Sequence, residues 1–456
     1  MSAWSSNAKF VSGELEIAGC AVSALAKEFG TPLFVVDEAD FYARAKAWQS
    51  ALSNGFGENA GNVYYAAKAF ISVEIAKWVN EVGIGLDVCT GGELEVALAA
   101  GFPTSKIELH GNNKSEAEIA KAIEVGVATI VVDSLQELAR VSKLAKASNK
   151  VQAILLRLTP GVEAHTHESI STAHEDVKFG FSIASGAAWN AVVAARSGAN
   201  LKLNGFHCHI GSQIFKSEGF ELAADRLISL LAKYRDEFNE ELPELDLGGG
   251  YGIAYLENEV TLDPNETMML LANVVTNSCV ANKLRVPRIS IEPGRAIVGP
   301  TTATIYEVGT TKEVRLENGE VRWYVSVDGG MSDNIRPALY GAEYSVALAN
   351  RNSTASLRNS RVVGKHCETG DILIREVKLA SDIEPGDLLA IPATGAYGRS
   401  MASNYNHMVR PAVISVINGT ARTILRRETA VDLLALDIEE SARTMPGATK
   451  DERRDK

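Results

Sequence analysis

Between about residues 60 and 295 the chain repeats one pattern: NVYYAAK (62–68), GIGLDV (83–88), IELHG (107–111), TIVVDS (129–134), AILLRLTPG (153–161), LNGFHCHIG (203–211), ELDLGGG (244–250) and ISIEPGR (289–295). Each run is short, rich in β-branched and aliphatic residues, and closes on a polar or glycine-rich end. Helix-like segments such as GELEVALAAG (92–101) and SLQELARVSKLAKA (134–147) lie between them. Strands alternating with helices predict parallel βαβ units. An open doubly wound sheet shares that local pattern, but eight units is the number that closes a (β/α)8 barrel.

Outside this block the texture changes. TATIYEVGTTKEV, VRWYVSVDGG, DILIREVKLA, GDLLAIPATGAY and AVISVING are short strands cut by Gly, Pro and Asp turns, which predicts a second, mainly antiparallel β-domain. ELEIAG and TPLFVVDEADF, before the barrel, have the same texture. The expected organisation is therefore α/β. Residues 1–40 join the β-domain, 41–297 form a TIM-like (β/α)8 barrel, 298–438 form the C-terminal β-domain, and 439–456 are a charged, disordered tail. No internal sequence repeat is present.

Composition narrows the function. The 456 residues are 46% hydrophobic and 22% charged, ordinary for a globular protein, with a net charge of −12. That balance argues against nucleic acid, whose phosphates need a basic face. No apolar run approaches a membrane span, and the first 20 residues lack the basic start and apolar block of a secretory signal. The five cysteines are scattered, odd in number and free of any CxxC pair, which fits a reducing, cytoplasmic location rather than a disulfide framework or structural zinc.

The polar residues of the eight runs are not random. Lys68, Asp87, His110, Asp133, Arg157, His209, glycines 248–250 and Glu292 each sit at the C-terminal end of an expected strand. A barrel gathers those ends on the one face where such folds keep their chemistry. Loop onset alone explains only some of them, and explains Lys68 poorly, because an apolar run precedes it and Ala69-Phe70-Ile71 follows. The triple glycine of LDLGGGYG can form an anion-binding nest, and EPGR follows the eighth run; the last two loops of a barrel are a common phosphate site. HCH (207–209) and HTHE (165–168) invite a metal reading. Barrel metallohydrolases put an HxH pair on the first strand, whereas here it lies on the sixth, so no metal is expected. One of the two HCH histidines then suits packing against a flat ring, and the other a hydrogen-bonded structural role.

Taken in order, YYAAKAF (64–70), HGNNK (110–114), HEDVKFGFS (174–182), HCHIGSQ (207–213), LDLGGGYGIAY (245–255), EPGR (292–295), DGGMSDNIRPALYGA (328–342), CETGD (367–371) and GAYGRSMASNYN (395–406) resemble the fold-type III pyridoxal phosphate-dependent decarboxylases, from about residue 30 to 435. The resemblance implies pyridoxal 5'-phosphate as cofactor. It implies that Lys68 forms the Schiff base and that His209 stacks on the pyridine. Ser212, Gly249, Gly250, Pro293, Gly294 and Arg295 would hold the phosphate end, and Glu292 would pair with the ring nitrogen. Arg295, Arg336 and Tyr340 would grip the far end of the substrate, and Tyr397 would touch both cofactor and substrate. Cys367 and Glu368 would enter from the second subunit of a head-to-tail homodimer, Cys367 as the proton donor to Cα.

A carboxylate at Glu292 favours a cationic ring and hence a strong electron sink, as decarboxylation wants. An arginine grip suits a distal carboxylate. The expected reaction is decarboxylation of meso-2,6-diaminopimelate to L-lysine and CO2, the last step of lysine biosynthesis. An arginine or ornithine decarboxylase of the same fold is the alternative, and a catalytically silent cofactor-binding regulatory protein is the reading from another class.

Overall fold

In a computed structural model of the chain, which describes residues 3–161, 178–215 and 218–437, eight parallel strands close into a barrel. They are β1 Ala60–Ala66, β2 Gly85–Val88, β3 Ile107–Leu109, β4 Thr129–Val132, β5 Gln152–Thr159, β6 Leu201–His207, β7 Glu244–Asp246 and β8 Arg288–Ile291. Each pairs in parallel with its sequence neighbour, and β8 pairs back onto β1 through Ile289↔Ala60 and Ile291↔Val63, which closes the ring. A two-residue strand, Phe181–Ser182, adds to β5. The aliphatic runs are buried on both faces, as parallel strands under a coat of helices must be; Ile130, Val131 and Val132 are each at most 1% exposed.

Polar caps decide where the strand-to-helix loops end. Ser72, Thr90, Ser115, Ser134 and Asp263 each accept a backbone N–H from the first turn of the helix that follows, and Ser115 completes a reciprocal capping box with Glu118. The first four caps fix the helices Val73–Val82, Gly91–Ala99, Glu116–Val125 and Leu135–Ala147 close to the strand ends, so those loops stay short, whereas residues 247–263 separate β7 from Pro264–Ala281.

The second sheet is built on β9 (Thr302–Arg315), whose first half pairs antiparallel with both Leu33–Asp37 and β13 (Leu388–Ile391). Its far half pairs with β10 (Val321–Val327), and the sheet continues through β11 (Leu357–Val363) and β12 (Ile372–Ala380). On the other side Leu33–Asp37 pairs with β14 (Ala412–Ile417), followed by β15 (Thr420–Leu425). Two pairs are parallel, β10 with β11 and Leu33–Asp37 with β14; in the second a strand that precedes the barrel is inserted between strands that follow it. The segment containing ELEIAG forms its own three-stranded meander, which packs its Leu15 and Ile17 against Leu33, Ile305 and Ile414 of the larger sheet. The segment expected to be a disordered tail lies outside the described residues from 438 onward.

Two contacts dock the sheets at the barrel mouth. The N–H of Tyr397 and the hydroxyl of Ser400 both donate to the carbonyl of Ala69, at 2.9 Å each. Gly395 approaches the barrel so closely that an added Cβ would lie 2.0 Å from the carbonyl of Val298, which only glycine permits.

Candidate active site

The strand ends converge on two adjoining cavities. The narrower lies against Lys68, His209, Ser212, Gly250, Glu292 and the turn Pro293–Gly294–Arg295. The wider, about 420 Å³, continues outward past Arg295, Arg336, Tyr340, Glu343, Tyr255 and Tyr397. His209, Ser212, Arg295 and Tyr397 line both.

Lys68 follows β1 by two residues, and its Nζ lies 2.9 Å from Oδ2 of the fully buried Asp87 on β2. Burial pulls the lysine down, but Asp87, with Cys89 and Glu292, outweighs it and holds Lys68 well above its ordinary range. Burial, with Lys68 and Arg157 nearby, pushes His209 far below the ordinary histidine range, so its ring is neutral; the N–H of Gly249 donates to its Nδ1 at 3.3 Å. Gly249 thus meets the edge of the imidazole and lines neither cavity. Gly250 lies at φ +106°, and a Cβ there would lie 2.3 Å from the carbonyl of Gly211, so this wall of the cavity is bare backbone.

Glu292 follows β8. Its Oε1 lies 2.9 Å from His207 Nε2 and 3.4 Å from His110 Nε2. Burial works to raise this carboxyl, and the His110 and His207 rings, aimed at its oxygen, outweigh burial and hold it below the ordinary carboxylate range. Beneath it, inside the barrel, burial and mutual repulsion push Glu108 and Asp246 well above theirs.

At the outer end Arg295 donates to Ser212 Oγ at 2.9 Å and to the hydroxyl of Tyr255, and sits 4.6 Å over the ring of Tyr397. Arg336 is 6% exposed, donates to the Tyr344 hydroxyl and lies 4.6 Å over the ring of Tyr255. Among the described residues, neither guanidinium has an ion pair with a carboxylate. Tyr397 holds φ at 60°, a costly conformation for a tyrosine, as part of the loop tied to Ala69.

One chain therefore brings together Lys68, His209, Ser212, Gly250, Glu292, Pro293, Gly294, Arg295, Arg336, Tyr340 and Tyr397. Cys367 and Glu368 stay apart: both are exposed, neither lines either cavity, and the Cys367 N–H donates to Asn406 Oδ1 at 2.9 Å. HTHE and the first four residues of HEDVKFGFS fall outside the described residues. Sequence reasoning assigned no role to Asp87, Tyr255 or Tyr344. It noticed Asp87 as a strand-end charge, but its pairing with Lys68 appears only when β1 and β2 lie side by side. His207, expected as the structural member of the HCH pair beside His209, is fully buried with its Nε2 2.9 Å from Glu292 Oε1. His110, His207 and Glu292 also place donor atoms within 4.8 Å of one another.

The arrangement suits pyridoxal phosphate. The Glu292 carboxylate, which lines the narrower cavity, can meet a pyridinium N–H, a neutral flat imidazole can cover the ring, bare backbone and Ser212 can take a phosphate, and Lys68 lines the same cavity. The family described as pyridoxal-dependent decarboxylase, pyridoxal binding domain, matches residues 38–299. The chain is 52% identical over 430 residues to the diaminopimelate decarboxylase of Mycobacterium tuberculosis strain H37Rv, covering 93% of this chain and 95% of the relative. It is 45% identical over 427 residues to that of Bacillus subtilis strain 168, covering 93% and 95%. The crystal structure of diaminopimelate decarboxylase from M. jannaschii in complex with L-lysine superposes with a TM-score of 0.87 at 31% identity, covering 95% of this chain and 98% of that one. On the match of fold, site and sequence across nearly its whole length, this chain belongs to the pyridoxal-dependent decarboxylases.

Proposed function

We propose that the chain is a pyridoxal phosphate-dependent carboxy-lyase that converts meso-2,6-diaminopimelate to L-lysine and CO2, the last step of lysine biosynthesis, in the cytoplasm. One observation carries the choice of substrate: Arg336 and Arg295, 6% and 8% exposed, face the wider cavity with no carboxylate partner among the described residues. A buried guanidinium without a counter-ion is costly, and a ligand carboxylate relieves it. The ammonium of ornithine or the guanidinium of arginine would add a like charge there.

When bound, pyridoxal 5'-phosphate supplies an electron sink for the charge left on Cα as CO2 departs. The protein's residues do the rest. Lys68 would hold the coenzyme covalently and exchange with the substrate amine, and Asp87 Oδ2, 2.9 Å from its Nζ, positions the lysine for that exchange. Glu292 keeps the ring nitrogen protonated, and His209 covers one face of the ring. Ser212, Gly250 and the Pro293–Gly294 turn hold the phosphate. Arg336, with Arg295 and Tyr340, grips the distal carboxylate and so sets the angle of the scissile bond to the ring. Tyr397 closes the site over ring and substrate.

Cys367 and Glu368 complete the site from the second copy of a homodimer, where Cys367 of the partner subunit delivers a proton to Cα and Glu368 of the partner subunit binds the distal ammonium. Their exposure, away from both cavities of their own chain, supports that reading. The test is CO2 release from diaminopimelate, ornithine, arginine and lysine in parallel. Release from diaminopimelate alone is expected, and activity confined to ornithine or arginine would defeat the assignment.

A further inference from the structure

Five titratable side chains are buried behind the ring-facing carboxylate. Glu292, Glu108 and Asp246 place carboxylate oxygens within 4.8 Å of one another. His110 Nε2 stands among them, 3.6 Å from Glu108, 3.4 Å from Glu292 and 3.7 Å from Asp87. His207 ends β6, is fully buried, and brings Nε2 to 2.9 Å from Glu292 Oε1. The two imidazoles meet edge to face, with centroids 5.0 Å apart at 73°.

Three carboxyls this close in a water-poor interior cannot all ionise, so protons must be shared out among them. Chemistry at the cofactor requires the negative charge on one in particular. Among the described residues, Glu108 shares His110 with Glu292, at 3.6 against 3.4 Å, and Asp246 accepts only a backbone N–H, from Gly248; His207 alone approaches Glu292 and neither of the others. Both histidine nitrogens converge on Oε1 of Glu292, which leaves its other oxygen for the ring nitrogen.

We infer that His207 is a positioning residue: its Nε2 fixes Oε1 of Glu292 and so selects Glu292, rather than Glu108 or Asp246, as the charged member of the buried acid cluster, with His110 as a second support. The inference rests on the cofactor assignment above. It concerns a side chain that touches neither coenzyme nor substrate.

The test compares His207→Phe, His207→Gln and His207→Asn, each in the wild-type and Glu292→Gln backgrounds, by the dissociation constant of pyridoxal phosphate and the visible absorbance of the bound coenzyme, with kcat and KM alongside. A glutamine amide nitrogen reaches the place of Nε2, whereas that of asparagine falls short. A close contact between an imidazole N–H and a charged carboxylate, 2.9 Å apart, predicts that His207→Phe and His207→Asn weaken coenzyme binding and lower kcat by about 10- to 100-fold, with substrate KM within about twofold. Most of the loss should be recovered in His207→Gln. In the Glu292→Gln background His207→Phe should add less than about twofold, because its effect runs through a carboxylate no longer there.

Equal losses in the glutamine and asparagine variants, or the same loss in both backgrounds, would overturn the inference and leave His207 a packing residue. If His207→Phe does not fold, the Gln–Asn comparison decides. Failure of the functional reading itself is separate: it would show as a wild-type chain that binds no coenzyme or releases no CO2 from diaminopimelate.

Discussion

Replacing Arg336 by alanine tests the substrate grip. The wild-type guanidinium is buried, stacks on Tyr255 and donates to Tyr344, so it arrives already oriented. A charge-assisted hydrogen bond is worth about 1.5–3 kcal/mol, and a carboxylate gripped by the fork takes two. Arg295 remains nearby and keeps part of the attraction, so the net loss should be about 3–4 kcal/mol. At ~1.4 kcal/mol per decade that is a fall of roughly 10²- to 10³-fold in kcat/KM for diaminopimelate. The fall should appear mostly in KM, while coenzyme per subunit, read from visible absorbance, stays unchanged. Truncation also strands the Tyr344 hydroxyl and removes the cation from Tyr255, a stability cost of about 1–3 kcal/mol. Kinetics are therefore measured well below the Tm of the variant. A kcat/KM within about threefold of wild type, at full coenzyme loading, would refute the grip.

Lys68→Ala should abolish turnover and the visible absorption of the covalently held coenzyme; persistence of both would place the attachment elsewhere. Mixing inactive Lys68→Ala and Cys367→Ala dimers should restore partial activity, since one site per hybrid would be intact, and no recovery after verified subunit exchange would count against the shared site. Burial raises the Asp333 carboxyl to about 7, even though the Tyr306 hydroxyl donates to it at 2.5 Å and opposes the shift. The folded chain then holds a proton that the unfolded chain loses near pH 4. The stabilisation is fully present below about pH 4 and gone above about pH 7, a decline of up to about 4 kcal/mol. Asp333→Asn should flatten that part of the stability–pH curve in denaturant titrations; an unaltered slope would show that other groups set it.

The barrel was legible because its strands need apolar residues on both faces, a demand that leaves eight unmistakable runs, and because each run ends where the chemistry begins. Lys68 stood out for the same reason: an amine directly after a buried strand has no packing use. The second sheet was legible as strands but not as an order. Nothing local in TPLFVVD says that it slots between Thr302–Arg315 and Ala412–Ile417, since strand neighbours are chosen by long-range packing. Tyr255 and Tyr344 were missed because an aromatic residue in a loop reads as core filling until an arginine is seen lying on it. The partner of His207 was not legible because it is 85 residues away, on a strand brought near only through β7.

The account stands on covalent attachment of the coenzyme at one lysine. The direct measurement is the absorption spectrum of the purified protein before and after borohydride, followed by peptide mapping. A visible band that reduction bleaches and one stable adduct, on Lys68, are expected. A colourless protein that stays free of coenzyme in the presence of excess pyridoxal phosphate, or an adduct on another residue, would contradict it.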